Sequence, residues 1–339
     1  MNYKIFFKGD QPLIAIPTGI SFKHSIRAIN CLPSFTFKRK VYKVYLYILS
    51  FLGHFININI LNNHKYSSLK PLLEWFDKFK ESNPNQELYP IFIWSLVPNR
   101  KRYYIHLLNK SGEKIFFAKL TNSTEDHKLL KTEFDQLINW QNSNNIDSSF
   151  STPQVIGFEK DENYSSLIVE SLKDTDKLFH PSNNKIPEIL IKEIQGTSKK
   201  IQLNDIFEMD WWKRFDHDHK KMPNLHQYIK NVNPENSIKV SFVHGDFGSE
   251  NILTDKSGKF KIIDWERATE NGPYHLDTVA YWLGKHHKEI KNNSNDTIQQ
   301  FYSDFEHLTK IDLALCLSFL IGANFNLAFI ISTKFQDYR

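Results

Sequence analysis

The chain has 339 residues, of which 40% are hydrophobic, and its formal net charge is +5. It is long enough to bury one large core or two, and it shows no internal repeat, which excludes a repeat array. The two cysteines, Cys31 and Cys316, are far apart and lack metal-ligand spacing. They argue against a disulfide or zinc scaffold and favour a reducing compartment.

Residues 1–70 are strongly basic. They contain ten Lys or Arg residues and one acidic residue, a local charge of +9, so that the rest of the chain carries −4. Within them, residues 38–55 join a cationic cluster to a Tyr-rich apolar run. The apolar part, 44–52, is shorter than the roughly twenty residues that span a bilayer.

Two interpretations of this basic segment are open. It predicts either an interfacial helix on an anionic membrane or a helix of an N-terminal cap whose lysines lie in solvent, and the cap is favoured. Nucleic acid is an unfavoured partner, because no recognition motif accompanies the charge. The start of the chain lacks the pattern of a secretory signal, so we expect a cytoplasmic protein, with peripheral contact at the inner face of the membrane as the alternative.

The following elements predict a small β-rich domain. Apolar runs at 91–96 and 103–108 indicate strands, and the turn between them contains Arg100, Lys101 and Arg102 but no glycine. We interpret that turn as solvated rather than as a phosphate contact.

A further strand and a helix come next in this domain. Residues 113–120 predict a strand with Lys119 near its end, and residues 126–140 predict a helix that carries Glu133. Glu133 is a candidate ion-pair partner for Lys119, and Glu125 is its rival. Residues 164–172 then predict a strand that ends in a polar turn and marks a domain boundary.

Two apolar runs near residue 250 predict strands that each end in polar residues. The first, 238–243, leads into His244-Gly245-Asp246, and the second, 260–263, leads into Asp264. Gly258 predicts a hairpin turn that brings Asn251 and Asp264 to one edge. Phosphoryl transfer needs a carboxylate that orients the acceptor hydroxyl and oxygen ligands that hold magnesium. Asp246, Asn251 and Asp264 are residues of those types.

This stretch resembles the catalytic loop of the aminoglycoside phosphotransferase and choline kinase superfamily, which has the form His-Gly-Asp, four variable residues, Asn. The resemblance implies that Asp246 is the catalytic base, that Asn251 and Asp264 bind Mg²⁺, and that His244 and Gly245 shape the loop. A structural alternative is that the two Asp residues only cap a turn and end a strand.

The resemblance extends to residues on either side of the loop. It implies that Asp277 buttresses the catalytic loop, although Asp277 before Thr-Val-Ala also fits a helix N-cap. It implies that Lys119 holds the ATP phosphates, that Glu133 positions Lys119, and that the backbone of residues 170–172, from Glu170 to Leu172, meets the adenine. The glycine-rich loop found in many kinases has no counterpart at 97–102.

The fold class that follows is α+β: a two-lobed protein-kinase-like fold with a small antiparallel β lobe, a larger helical lobe and an N-terminal extension. The expected boundaries are 1–85 for the basic extension, 86–172 for the nucleotide-binding lobe and hinge, and 173–339 for the helical catalytic and acceptor-binding lobe. The apolar segment 313–331 contains two Asn residues, which favours a buried helix over a transmembrane tail.

Two groups of side chains in the helical lobe have competing interpretations. Asp216, His217, Asp218 and His219 do not converge on one ion from a helix, so exposed polar residues are favoured. Trp211 and Trp212 fit either a ring acceptor or the core, and the core is favoured.

The predicted function is a kinase that uses ATP, or GTP, with Mg²⁺ and a hydroxyl acceptor. A cationic surface repels polycationic aminoglycosides, which favours a sugar of a cell-surface polysaccharide precursor. The alternatives are a choline, ethanolamine or aminoglycoside kinase and an inactive nucleotide-binding scaffold or regulatory module. A protein kinase is unfavoured, because the chain lacks the His-Arg-Asp and Asp-Phe-Gly forms.

Overall fold

The computed structural model describes residues 3–8, 11–18, 20–32, 37–55, 69–95, 101–142, 148–179, 187–218, 220 and 222–335. Two compact units make up the chain. Unit 1 consists of Met1–Phe134 and Pro153–Lys173, and unit 2 consists of Asp135–Thr152 and Asp174–Arg339.

The strands and helices of the described residues are numbered in chain order. The strands are β1 (Tyr3–Lys8), β2 (Gln11–Pro17), β3 (Tyr89–Trp94), β4 (Arg102–Leu108), β5 (Lys114–Thr121), β6 (Phe150–Ser151), β7 (Val155–Lys160), β8 (Ser165–Glu170), β9 (Lys177–Leu178), β10 (Lys199–Gln202), β11 (Ser237–Val243), β12 (Ile252–Thr254), β13 (Phe260–Ile262) and β14 (Thr269–Pro273). The helices are α1 (Phe22–Asn30), α2 (Phe37–Phe55), α3 (Lys70–Ser82), α4 (Thr124–Asn142), α5 (Glu188–Gln195), α6 (Leu203–Phe207), α7 (Asp210–His217), α8 (Pro223–Lys230), α9 (Leu276–Lys285), α10 (His287–Lys291), α11 (Asn295–Asp304), α12 (Lys310–Gly322) and α13 (Asn326–Ser332).

Unit 1 is built on a seven-stranded antiparallel sheet with the order β1-β2-β3-β4-β5-β8-β7. Side chains alternate between the faces of a strand, so β3 serves two cores. Phe92 packs in one core with α3, whose Leu72, Trp75, Phe76 and Phe79 share one helix face. Ile91 and Ile93 pack in the other core with α1 and α2.

The structure divides the chain differently from the sequence-based expectation. Strand β2 pairs with β3 through Ile14 and Ile93, and β1 pairs with β2. The described residues among 1–85 therefore supply two strands and three helices of the same unit as the predicted small lobe. The reason is the apolar content of β1 and β2, which is buried only when these strands extend the sheet.

Unit 2 is mainly helical and holds the largest core, drawn from α6 to α13 and β11. The predicted C-terminal apolar helix is two helices, the buried α12 and the partly buried α13, because Asn324 takes a left-handed conformation with φ 62° and ends the first. Trp211 and Trp212 lie in the core, as favoured from sequence. No helix of the described residues is long and apolar enough to cross a membrane.

Two small sheets in unit 2 carry the segments of functional interest. One has the order β10-β11-β14 and the other the order β6-β13-β12-β9. The predicted α+β class, with an antiparallel β unit and a larger helical unit, is thus confirmed.

Candidate functional site

A hairpin in unit 2 brings the two predicted metal ligands to one edge. Strands β12 and β13 pair Ile252 with Ile262, and the Ile263 N–H donates to the Asn251 carbonyl at 3.0 Å. The turn between them forms as predicted, with Gly258 at φ 85°. Asn251 and Asp264 therefore stand at the start and the end of one hairpin.

Asp277 holds the start of the catalytic loop from helix α9. Its fully buried carboxylate accepts the His244 N–H at 2.8 Å and the Gly245 N–H at 3.0 Å, one on each oxygen. The alternative role as an N-cap is not what the structure shows, because α9 begins one residue earlier, at Leu276, with His275 at the cap position. Instead, the carboxylate provides the hydrogen-bond acceptors for the two buried backbone N–H groups of the loop.

His244 joins the loop to the end of the hairpin. Its ring Nε2 lies 3.0 Å from the Ile263 carbonyl, and its Nδ1 accepts the Asp246 N–H at 3.3 Å. A carbonyl accepts only, so these contacts assign the proton to Nε2. The buried ring also packs on Trp265 at 4.7 Å between centroids. His244 therefore shapes the loop and fixes the backbone of Asp246.

The donor atoms of Asn251 and Asp264 suit a hard cation. The Asn251 amide nitrogen donates to the Asp246 carbonyl at 2.8 Å, which leaves the amide oxygen as the ligand atom. Asp264 takes a left-handed conformation, with φ 67° and ψ 54°, which Asp tolerates better than most residues. An amide oxygen and a carboxylate are ligands that Mg²⁺ accepts, so these residues fit a magnesium ion.

Asp246 is partly buried in an acidic neighbourhood. Burial raises its pKa to about 7, and the negative charges of Asp264, Glu250 and Glu266 act in the same direction. The positive charge of Arg267 opposes them. A carboxylate with a pKa near the working pH is suited to accept a proton.

Glu266 and Arg267 have no role in the sequence-based expectation, although they lie two and three residues after Asp264. Glu266 is buried, and the backbone of Arg267 lies against Gly245. A buried Glu is uncommon unless it is paired or serves a site. The signal that could have found them is the run of charged residues after an apolar strand that ends at the proposed ligand.

Position 245 requires glycine, both because of its backbone conformation and because of the neighbouring Arg267 backbone. Its φ is 80°, and a Cβ there would overlap the carbonyl oxygen of Arg267. We expect Gly245→Ala to lower the free energy of unfolding by about 2 kcal/mol or more, since backbone strain and overlap add. Gly258→Ala is the matched control, because Gly258 has φ 85° and open space around it. Equal losses in chemical denaturation would contradict a special packing role for Gly245.

Lys119 and Glu133 form a buried ion pair in unit 1. The Lys119 Nζ lies 2.9 Å and 2.7 Å from the two carboxylate oxygens of Glu133. The rival, Glu125, is exposed. Lys119 is on β5 and Glu133 is on α4, so the pair joins a strand to a helix, as the kinase resemblance implies.

Two backbone N–H groups of the segment 170–172 form hydrogen bonds within unit 1. The Glu170 N–H donates to the Gln154 carbonyl at 2.8 Å, and the Ser171 N–H donates to the Ile115 carbonyl at 3.0 Å. The sequence-based role of residues 170–172, from Glu170 to Leu172, is a backbone contact with the adenine. This role stays a prediction.

Two expectations about charged residues differ from the structure or lie partly outside it. Arg102 is buried, not solvated, and its guanidinium contacts the Asp126 carboxylate at 2.7 Å, whereas Lys101 is exposed. Arg100 lies outside the described residues. Arg102 is the first residue of β4, and its buried guanidinium needs a negatively charged partner. Asp126, in the first turn of α4, supplies that carboxylate.

In the polar segment 216–218, Asp216 contacts a neighbouring helix and His217 lies in solvent. The Asp216 carboxylate lies 2.6 Å from the Nε2 of His226, and His217 is exposed. His219 lies outside the described residues. Asp216 is thus joined to helix α8 by an ordinary ion pair or hydrogen bond.

Comparison with family models of known proteins gives no match. A segment of 80 residues is 32% identical to the RIO-type serine/threonine-protein kinase Rio2 of Methanocaldococcus jannaschii. That match covers 22% of this chain and 29% of the Rio2 protein, so it spans less than a third of the relative's length.

Several solved structures resemble the chain distantly. They include an aminoglycoside-3'-phosphotransferase of type VIII (TM-score 0.45, 14% identity, 73% of this chain and 97% of that chain). The choline kinase LicA of Streptococcus pneumoniae gives a TM-score of 0.43 with 11% identity over 78% of this chain and 92% of that chain.

An ethanolamine kinase of Plasmodium vivax gives a TM-score of 0.42 with 11% identity over 94% and 95% of the two chains. Aminoglycoside phosphotransferases and choline kinase are also the proteins named in the sequence resemblance. At these TM-scores and identities the likenesses carry no argument about the activity of this chain.

Proposed function

We propose that the chain is a kinase that transfers the γ-phosphate of ATP to a hydroxyl group of a small molecule or glycan. One observation supports this most strongly. Asp246, Asn251 and Asp264 are brought together by a loop and a hairpin that His244 and Asp277 fix through buried hydrogen bonds. A structural role needs no such convergence of a proton acceptor with two oxygen ligands.

The chemistry asks three things of the protein's own residues. Asp246 orients the acceptor hydroxyl and takes its proton, because its raised pKa makes it a stronger base than an ordinary Asp. Asn251 and Asp264 would hold Mg²⁺, which when bound offsets the negative charge of the phosphates. Lys119, held by Glu133, steadies the donor phosphates, and GTP is the alternative donor.

The choice of acceptor follows from charge. Residues 1–70 carry a net +9, which repels a polycationic aminoglycoside and attracts an acidic or membrane-bound saccharide. We therefore propose a sugar hydroxyl of a cell-surface polysaccharide precursor, in a protein that acts in the cytoplasm. Choline, ethanolamine and aminoglycosides are the acceptors to be compared with it.

A transfer assay tests the proposal directly. ATP or GTP labelled at the γ-phosphate is incubated with Mg²⁺, the full chain, and soluble and lipid-extracted metabolites of the source organism. We expect a labelled small molecule or lipid-linked product that the wild type forms and Asp246→Asn does not. Nucleotide binding without any transfer would favour the inactive scaffold instead, and label in protein alone would favour a protein kinase.

The role of Lys119 gives a second prediction. Lys119→Met removes the cation from buried Glu133, which costs about 3–5 kcal/mol of stability. The double variant Lys119→Met/Glu133→Leu removes both charges, so we expect it to be the more stable of the two. We also expect its ATP affinity to fall about tenfold to a hundredfold, because a charge-assisted contact is lost.

The matched control is another buried ion pair of unit 1, Arg102 with Asp126. The double variant Arg102→Met/Asp126→Leu should leave the ATP affinity close to that of the wild type. Calorimetric titration with ATP and thermal unfolding measure the two effects. Equal losses of ATP affinity in both double variants would assign Lys119 a structural role only.

A further inference from the structure

Helix α2 is tied to unit 1 along one face. Leu46 is fully buried and Ser50 nearly so. The Tyr42 hydroxyl donates to the Phe7 carbonyl, the Tyr47 hydroxyl donates to the Asn30 side chain, and Lys43 donates to the Asn30 carbonyl at 3.2 Å. The orientation of α2 about its own axis is therefore set by contacts on its inner face.

The opposite face of α2 is apolar and exposed. It carries Val41, Val44, Tyr45, Ile48 and Phe51, each between 48% and 54% exposed. Their spacing of three, four, seven and ten residues from Val41 places them on one side of a helix. Among the described residues, three other large hydrophobic side chains are exposed, of which only Ile189 is as strongly exposed, and the three lie on separate elements. We call these five residues the α2 stripe.

The segment of sequence that contains the α2 stripe is basic. No Asp or Glu occurs between Asp10 and Glu74, whereas the same part of the chain contains eight Lys or Arg residues. Lys40, at the edge of the stripe, and Lys23, on α1, are both exposed. A partner that covers the stripe therefore meets apolar side chains beside positive charge.

We propose that the α2 stripe binds the surface of an anionic lipid bilayer. The helix would lie in the plane of the interface, with Val44, Ile48 and Phe51 at the acyl boundary and Tyr45 at headgroup depth. Lysines beside an apolar stripe match the lipid headgroup charge, since each basic residue near such a surface strengthens partitioning about fivefold. This inference is independent of the proposed kinase activity, because binding to vesicles needs no transfer step.

Vesicle co-sedimentation of the full chain tests the proposal. We expect pelleting with vesicles that contain about one-third phosphatidylglycerol, little pelleting with phosphatidylcholine alone, and release as salt rises from about 0.1 M to about 0.5 M. Val44→Glu/Ile48→Glu should weaken binding by about tenfold or more, because it removes apolar contact and adds negative charge. Lys40→Gln should weaken it about fivefold.

The control is Ile189→Glu, which places one negative charge at a 64% exposed apolar residue of α5. It should bind vesicles as the wild type does. Val44→Ser/Ile48→Ser provides a second variant without added charge, and circular dichroism checks that each variant folds. Unchanged binding of both stripe variants, or no pelleting with anionic vesicles, would overturn the proposal. A dimer that the stripe variants dissociate, without vesicle binding, would assign the surface to a second copy of the chain.

Discussion

Replacing Asp246 by Asn is expected to lower the turnover number by about 10²–10⁴-fold, the usual loss when a general base is removed. Asn keeps the size of the side chain and does not accept the hydroxyl proton. The Asp246 backbone contacts to His244 and Asn251 do not depend on the side chain, so the loop should persist. Steady-state kinetics should show a fall in the turnover number with little change in the apparent KM for ATP.

Two controls separate this loss from other causes. Asp264→Asn should change the Mg²⁺ concentration needed for half-maximal rate, which Asp246→Asn should not. Asp255→Asn alters a partly exposed carboxylate in the turn of the same hairpin and should leave the rate close to wild type. An Asp246→Asn variant that keeps a near-normal rate would refute the assignment of the base.

The pH dependence follows from the raised pKa of Asp246. Below its pKa of about 7 the carboxyl is protonated and does not accept the hydroxyl proton, so the rate should fall about tenfold per pH unit.

The raised pKa of Asp246 also affects the free energy of unfolding, with a pH dependence opposite in sign to that of a salt-bridged Asp, whose pKa is lowered. The folded state retains the proton up to about pH 7, whereas the unfolded chain loses it near pH 4, so the stabilising contribution is lost as pH rises between these values. Asp246→Asn should therefore fold at least as stably as the wild type at pH 8.

Much of the candidate site could be predicted because its determinants are close in sequence. Two apolar runs with Gly258 between them define a hairpin by local turn chemistry, and the spacing from Asn251 to Asp264 then sets which edge they share. The strand with Lys119 and the helix with Glu133 are likewise neighbours along the chain. Local pattern therefore sufficed for the hairpin, whereas the choice of Glu133 as the partner of Lys119 came from the family resemblance.

The remaining features depend on contacts that are distant in sequence. Strand β2 extends the sheet by pairing with β3, which follows only after α1, α2 and α3, and no local pattern specifies that partner. Arg102 has a charge that favours exposure, and only its contact with Asp126 explains its burial. Asp277 has the sequence context of an N-cap, whereas its role depends on a loop more than thirty residues earlier.

The second large loss of turnover is expected when Asp277 is replaced by Asn. Asn at this position keeps one acceptor oxygen, and its amide group turns a donor toward one of the two backbone N–H groups of His244 and Gly245. That N–H loses its acceptor, which costs about 1–3 kcal/mol, and the start of the loop shifts. Because small displacements of a reacting group cost about 10²-fold in rate, we expect a turnover loss of that order.

The dependence of stability on pH distinguishes this role from ordinary packing. Burial raises the pKa of Asp277 to about 6, although the two N–H groups oppose the rise. The unfolded carboxyl loses its proton near pH 4, so the wild type loses about 3 kcal/mol of stability between pH 4 and pH 7 through this group. Asp277→Asn does not titrate and should lack that loss.

The free energies of unfolding of the two proteins should therefore be compared at each pH, because all other titrating groups cancel in the difference. We expect the advantage of the wild type over Asp277→Asn to shrink by about 3 kcal/mol from pH 4 to pH 7. Asp255→Asn should show the opposite sign, since hydrogen bonds in the turn lower the pKa of Asp255. A constant difference between wild type and Asp277→Asn would mean that the buried carboxyl does not titrate with a raised pKa. The loop would then be held by an ordinary carboxylate whose burial is fully offset by its two hydrogen bonds.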